Sequence, residues 1–161
     1  MRRPSDTKVS LAQLDLTFFT DRDLGKAFPR ILREGGLRVE TYADHFSRND
    51  IPDNQWLRVV ASRGWIAVSH DNNIRSDAEA VRTLMENRGR LFIVRGKLSF
   101  PLLARVFLEA ERSIVRLVQE QREAFIANVR RVSSHTGQSH ATAELRLSHA
   151  AWSGRFSHRF P

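Results

Sequence analysis

Three short segments place aspartates where a folded backbone can concentrate them: Phe18-Phe19-Thr20-Asp21-Arg22-Asp23, Ile51-Pro52-Asp53 and Ile66-Ala67-Val68-Ser69-His70-Asp71. Asp21 and Asp71 each follow a short apolar run, and Asp53 opens a stretch with helical periodicity. Carboxylates crowded together raise each other's pKa, and a divalent cation relieves the repulsion. Oxygen ligands suit magnesium, which keeps part of its water shell and takes one or two carboxylates plus phosphate oxygens. Paired ions of this kind activate water and steady a leaving oxygen, which is the chemistry of phosphodiester hydrolysis. Asp21, Asp53 and Asp71 are therefore the candidate ligands, with Asp23 and Asp44 as further candidates. Asp77 has an ordinary reading as a first-turn helix acid. Arg22, Asn73 and Arg75 flank the acids as candidate substrate contacts, while His70 reads as a loop residue.

The elements that would position these groups follow from hydrophobic spacing. In an open parallel sheet the strands are buried on both faces, read as short apolar runs, and present ligands beyond their carboxyl ends. Strands are expected over Leu14–Thr20, Leu37–Tyr42, Trp65–Ser69, Leu91–Val94 and Ala124–Val132. Between them, an apolar stripe at Leu24, Ala27, Phe28, Ile31 and Leu32 predicts a helix over Leu24–Arg33. Pro29 lies inside that stripe, so the helix is kinked or starts later. Asp44, Asp50 and Pro52 mark a polar loop, and Asp53–Ser62 is a helix with Trp56, Leu57, Val59 and Val60 turned inward. Ser76 with Glu79 has capping-box spacing and predicts a helix running to about Gly89. Pro101 to Gln121 reads as one long helix. Strand and helix alternate throughout, which predicts an α/β three-layer sandwich around a mostly parallel sheet.

Composition narrows the function classes. At 161 residues the chain holds one domain with a full core. The expected organisation is a polar segment 1–13, a domain over 14–132, and a Ser/His-rich basic tail over 133–161 that is flexible. The histidines of that tail fit no compact ligand spacing. With no cysteine, a disulfide framework, a thiolate zinc site and a cysteine nucleophile are all excluded. No apolar run approaches the roughly 20 residues that span a bilayer, and Met1-Arg2-Arg3-Pro4 leads into polar residues. A cytoplasmic protein without membrane contact is expected. The formal charge of +8 points to a polyanionic partner. A carboxylate pocket within a basic surface is what phosphodiester hydrolysis requires, because the surface holds the strand and the metals hold the reacting phosphate.

The stretch from Thr17 to Val94 resembles a PIN-like domain, most closely the small VapC-type ribonuclease toxins. The resemblance rests on Phe19-Thr20-Asp21-Arg22-Asp23-Leu24, on Pro52-Asp53-Asn54-Gln55-Trp56-Leu57, and on Gly64-Trp65-Ile66-Ala67-Val68-Ser69-His70-Asp71-Asn72-Asn73. It implies a metal-dependent endoribonuclease using Mg²⁺ or Mn²⁺, an RNA substrate and an antitoxin encoded beside it; a second copy of the chain is a further candidate partner. By the resemblance, Asp21, Asp53 and Asp71 match the family's acids, and Ser69 matches the hydroxyl that buttresses them. Two departures stand out. The acid that the family carries on an intervening helix has Asp44 as its nearest counterpart, and Asn73 stands where many members carry another acid. Two rival readings remain. Asp21-Arg22-Asp23 also resembles the nucleophile motif of haloacid-dehalogenase-type phosphatases, although Lys97 is a poor match for their lysine. A basic nucleic-acid- or partner-binding module, with aspartates only as caps, is the other.

Overall fold

The computed structural model describes residues 9–157. The first eight residues of the expected polar segment and the last four of the expected tail lie outside the described residues. The first strand, β1, spans Thr17–Thr20. Successive strand residues face opposite ways, and here both faces are covered: Phe18 belongs to one hydrophobic cluster and Phe19 to the other. This is why β1 reads as an unbroken apolar run.

The first helix, α1, spans Ala27–Glu34 and starts later than the apolar stripe. Leu24 instead ends a 3-10 turn, Arg22–Leu24, and Gly25 at φ 66° and ψ −158° halts that turn before the helix begins. Pro29 falls in the first turn of α1, where its missing N–H is not needed. Strand β2 (Arg38–Thr41) is followed by α2 (Tyr42–His45), a single turn within the expected polar loop. Thr41 caps it by accepting from the Asp44 N–H. Helix α3 spans Asp53–Ser62 as expected, and strand β3 (Ile66–Ser69) is wholly buried.

Helix α4 covers Ala78–Glu86. Its cap is Asp77, whose carboxylate accepts from the Glu79 and Ala80 N–H groups; Ser76 belongs to the preceding 3-10 turn, Asn72–Ser76, so the expected Ser76 cap is corrected. After β4 (Arg90–Val94), the expected long helix is two: α5 (Phe100–Glu109) and α6 (Glu111–Glu120), divided at Ala110. The division lets α5 pack against α1 while α6 covers the far edge of the sheet. Strand β5 (Phe125–Ser133) then pairs with β6 (Ser139–Ser148), which leads into α7 (His149–Ser157). Residues 139–157, within the stretch expected to be a flexible tail, form this strand and helix. The small residues of β6 fit the sheet edge, with Ala141 buried and Ala143 packed on the first cluster.

Strand order is β2-β1-β3-β4-β5-β6, parallel except for the antiparallel β5–β6 pair. The chain moves outward from β1 to β2 and then returns to β3 on the other side of β1. Such a reversal opens a crevice beyond the carboxyl ends of the two central strands. Asp21 follows β1, and Ser69 closes β3. One apolar layer holds Phe28, Phe92, Phe107 and Phe125 on one side of the sheet; the other holds Trp56, Leu57, Leu84 and Ile126.

Candidate active site

Asp21 leaves β1 still joined to the sheet, its N–H donating to the Val68 carbonyl at 2.9 Å. Its carboxylate turns back on the chain. Oδ1 accepts from the Arg22 N–H at 2.7 Å and caps the 3-10 turn, and Oδ2 accepts from Ser69 Oγ at 2.9 Å. That turn swings Asp23 to the same place: its Oδ2 lies 3.1 Å from the His70 N–H and 3.3 Å from Ser69 Oγ. Ser69 Oγ also accepts from the Asp71 N–H at 3.0 Å. One fully buried hydroxyl thus links the segments that carry Asp21, Asp23 and Asp71.

The electrostatics of this knot are those of carboxylates held together out of water. Burial, reinforced by the neighbouring charge of Asp23, pushes the Asp21 carboxyl up to about 7; the Ser69 and Arg22 hydrogen bonds oppose the rise, and Asp53 adds to it. Asp23 is also raised, chiefly by burial, against the hydrogen bond and charge of His70, with Asp71 pushing the same way as burial. A helix cap or a surface turn acid experiences no such penalty.

The remaining predicted residues surround this pair in different ways. Asp53 is the first residue of α3 and accepts from Trp56 Nε1 at 2.9 Å. Asp71 caps the Asn72–Ser76 turn, accepting from the Asn73 N–H at 2.9 Å. Asp44 lines the same cleft as Asp21, but its carboxylate bonds Thr41 Oγ1 at 2.7 Å and pairs with Arg33 at 3.7 Å. Asp77 is spent on its cap. Arg22 donates to Tyr42 Oη at 2.8 Å and lies over that ring, 5.0 Å from its centre. Asn73 and Arg75 belong to the turn that Asp71 caps. His70 Nδ1 donates to the Val94 carbonyl at 2.7 Å, so its ring is anchored to β4 and its main chain serves Asp23.

Among the described residues, no group of three or more histidine, aspartate or glutamate side chains is gathered tightly enough to enclose a metal ion. The donor set nevertheless fits a hard divalent cation. It is all oxygen, and two of its carboxylates are held together at an energetic cost that a cation removes. Sequence reasoning did not single out Arg95, which follows β4 and donates to Asn72 Oδ1 at 2.8 Å. The rule that pointed to Asp21 and Asp71, a polar residue just past a buried strand, would have found it.

A family model described as "PIN like domain" matches residues 16–96, which include Asp21, Asp23, Asp53, Ser69 and Asp71. The chain is 38% identical over 88 residues to the protein named "Putative ribonuclease VapC45" of Mycobacterium tuberculosis. That alignment covers 52% of this chain and 63% of the relative's length. No solved structure matches the chain.

Proposed function

Because the chain belongs to the PIN-like domain family, we propose that it is a divalent-metal-dependent endoribonuclease and the toxin of a toxin–antitoxin pair, acting in the cytoplasm on RNA. The observation that carries this reading is the Asp21–Ser69–Asp23 knot at the mouth of the β1–β3 crevice. Asp53, Asp71 and Asp77 all have capping or turn bonds that would satisfy a purely structural role. Burying Asp21 beside Asp23 has no such explanation, since it costs stability and caps only a three-residue turn.

Asp21, Asp23 and Asp71 would hold Mg²⁺ or Mn²⁺, together with Asp53, whose charge Asp21 feels. When bound, the ion would neutralise the carboxylates and the reacting phosphate and polarise a water for attack. The chain's own groups do the rest. Ser69 fixes the Asp21 carboxylate by donating to Oδ2, the His70 N–H holds Asp23, and Arg22, with Asn73 and Arg75 of the turn that Asp71 caps, would contact the RNA strand. An antitoxin would act by covering this opening.

The test is cleavage of RNA by the purified chain with Mg²⁺ or Mn²⁺ and with EDTA. Cleavage is expected only with the metal, and it disappears in Asp21→Asn and Asp71→Asn while the circular dichroism spectrum is unchanged. Equal cleavage by the parent and both variants would defeat the assignment. Hydrolysis of a phosphate monoester instead would favour the phosphatase alternative.

A further inference from the structure

A second polar concavity lies beyond β4 and β5, lined by Arg75, Arg95, Asn128, Arg130, Glu144 and Arg146. It is a product of the β5–β6 pairing. Asn128 stands directly opposite Glu144, and the register slips between Ile126 and Ala127. Ile126 pairs with Leu147 and Ala127 with Leu145, so Arg146 is the extra residue of a bulge. Such an insertion re-aims the side chains that follow: Ala143 packs on one face of the sheet and Leu147 on the other, with Arg146 turned to the concavity between.

The charges here are only partly met. Arg130 is paired with Glu144 at 3.1 Å, and Arg95 is tied to Asn72. Neither Arg75 nor Arg146 forms an ion pair with a described residue. Asn128 is 6% exposed, and its buried Oδ1 has no hydrogen-bond partner. An orphaned acceptor of this kind is costly unless a ligand supplies a donor. The adjoining hollow shares Arg75 and offers an apolar lining in Val81, Leu147 and Trp152. Arg75 connects these hollows to the acids, since it lies in the turn that Asp71 caps.

We propose that this concavity is a nucleotide subsite that holds the RNA chain beside the cleaved bond. Its arginines take phosphate oxygens, and Asn128 Oδ1 accepts from a ribose 2′-hydroxyl or base N–H. The inference rests on the ribonuclease reading and extends it to residues of β5 and β6 that lie outside the matched family region. An acidic protein segment would also satisfy the arginines, and its main-chain N–H groups could reach Asn128; RNA is favoured because Arg75 lines the concavity and lies in the turn that Asp71 caps, so a strand held at the acids continues into it.

The experiment measures anisotropy of a labelled single-stranded RNA on the full chain in EDTA over a salt series. In R75A/R146A, affinity is expected to fall on the order of tenfold, and the slope of log affinity against log salt to flatten by roughly 1.4, about 0.7 per lost phosphate contact. R112A/R116A, on the exposed side of α6, is the control and should change binding far less. N128A should lose any preference for RNA over DNA of the same sequence. Unaltered affinity and slope in R75A/R146A would overturn the subsite, as would loss of poly-glutamate binding with RNA binding intact, which would identify an acidic protein partner. The two proposals fail separately. RNA binding lost in R75A/R146A with no cleavage by the parent sustains the subsite and removes the nuclease; cleavage lost only in D21N, with R75A/R146A binding as the parent does, gives the reverse.

Discussion

Ser69 has one proton to share between two acids. Its Oγ lies closer to Asp21 than to Asp23, 2.9 against 3.3 Å, so Asp21 receives the better bond. Ser69→Ala would leave buried oxygens unmet, and a loss of roughly 1–3 kcal/mol is expected in urea unfolding, with cleavage reduced. Ser69→Thr keeps the hydroxyl and should recover much of both. Asp21 also sets a pH dependence. Its folded pKa of about 7 exceeds the ordinary 3.8, so between those values the folded chain holds a proton that the unfolded chain releases. The Asp21 contribution to stability of the metal-free protein should therefore be greatest below about pH 4 and decline as pH rises to about 7, by roughly 4 kcal/mol. Unfolding in EDTA across pH 4–8 checks this, with Asp21→Asn expected to lack that part of the slope.

Turns carry as much of the site as strands do. The Arg22–Leu24 turn brings Asp23 back beside Asp21, and it ends at a backbone conformation open almost only to glycine. Gly25→Ala is expected to cost roughly 1–3 kcal/mol through that strain and to lower cleavage by displacing Asp23; chemical denaturation and a cleavage assay on the same preparation test both parts. Capping acids should behave differently. Asp77→Ala removes the α4 cap and should cost about 1 kcal/mol with cleavage unchanged. Asp44→Asn, acting on a residue bonded to Thr41, should likewise leave cleavage near the parent level. Strong loss of cleavage in either variant would place that acid among the functional groups.

At the scale of the whole molecule, β6 closes the sheet. It covers β5, whose Phe125, Ile126, Ala127 and Val129 are all buried. Without it a long apolar strand becomes an open edge, which is a template for aggregation. A chain ending at residue 133 is therefore expected to precipitate or sediment as large species in ultracentrifugation, whereas a chain ending after Ser157 should not. Among the described residues, no helix is long and apolar enough to cross a membrane.

The sequence by itself determined the layered α/β architecture, because strands buried on both faces must read as apolar runs and β1, β3 and β4 do. It also determined that Asp21, Asp53 and Asp71 stand at strand exits and a helix start, since local spacing dictates where elements end. Tertiary structure decided which acids share a charge environment. Asp23 moved to the centre, and Asp44 and Asp77 were taken up by local bonds, because a carboxylate's partners depend on backbone direction after a turn and spacing does not reveal that direction. The break at Ala110 and the pairing of 139–148 as a strand were hidden for a related reason. Each depends on a surface contributed by distant residues, α1 for α5 and β5 for β6, just as the Ser69 hydroxyl needs β3 beside β1 to join two acids 46 and 48 residues away.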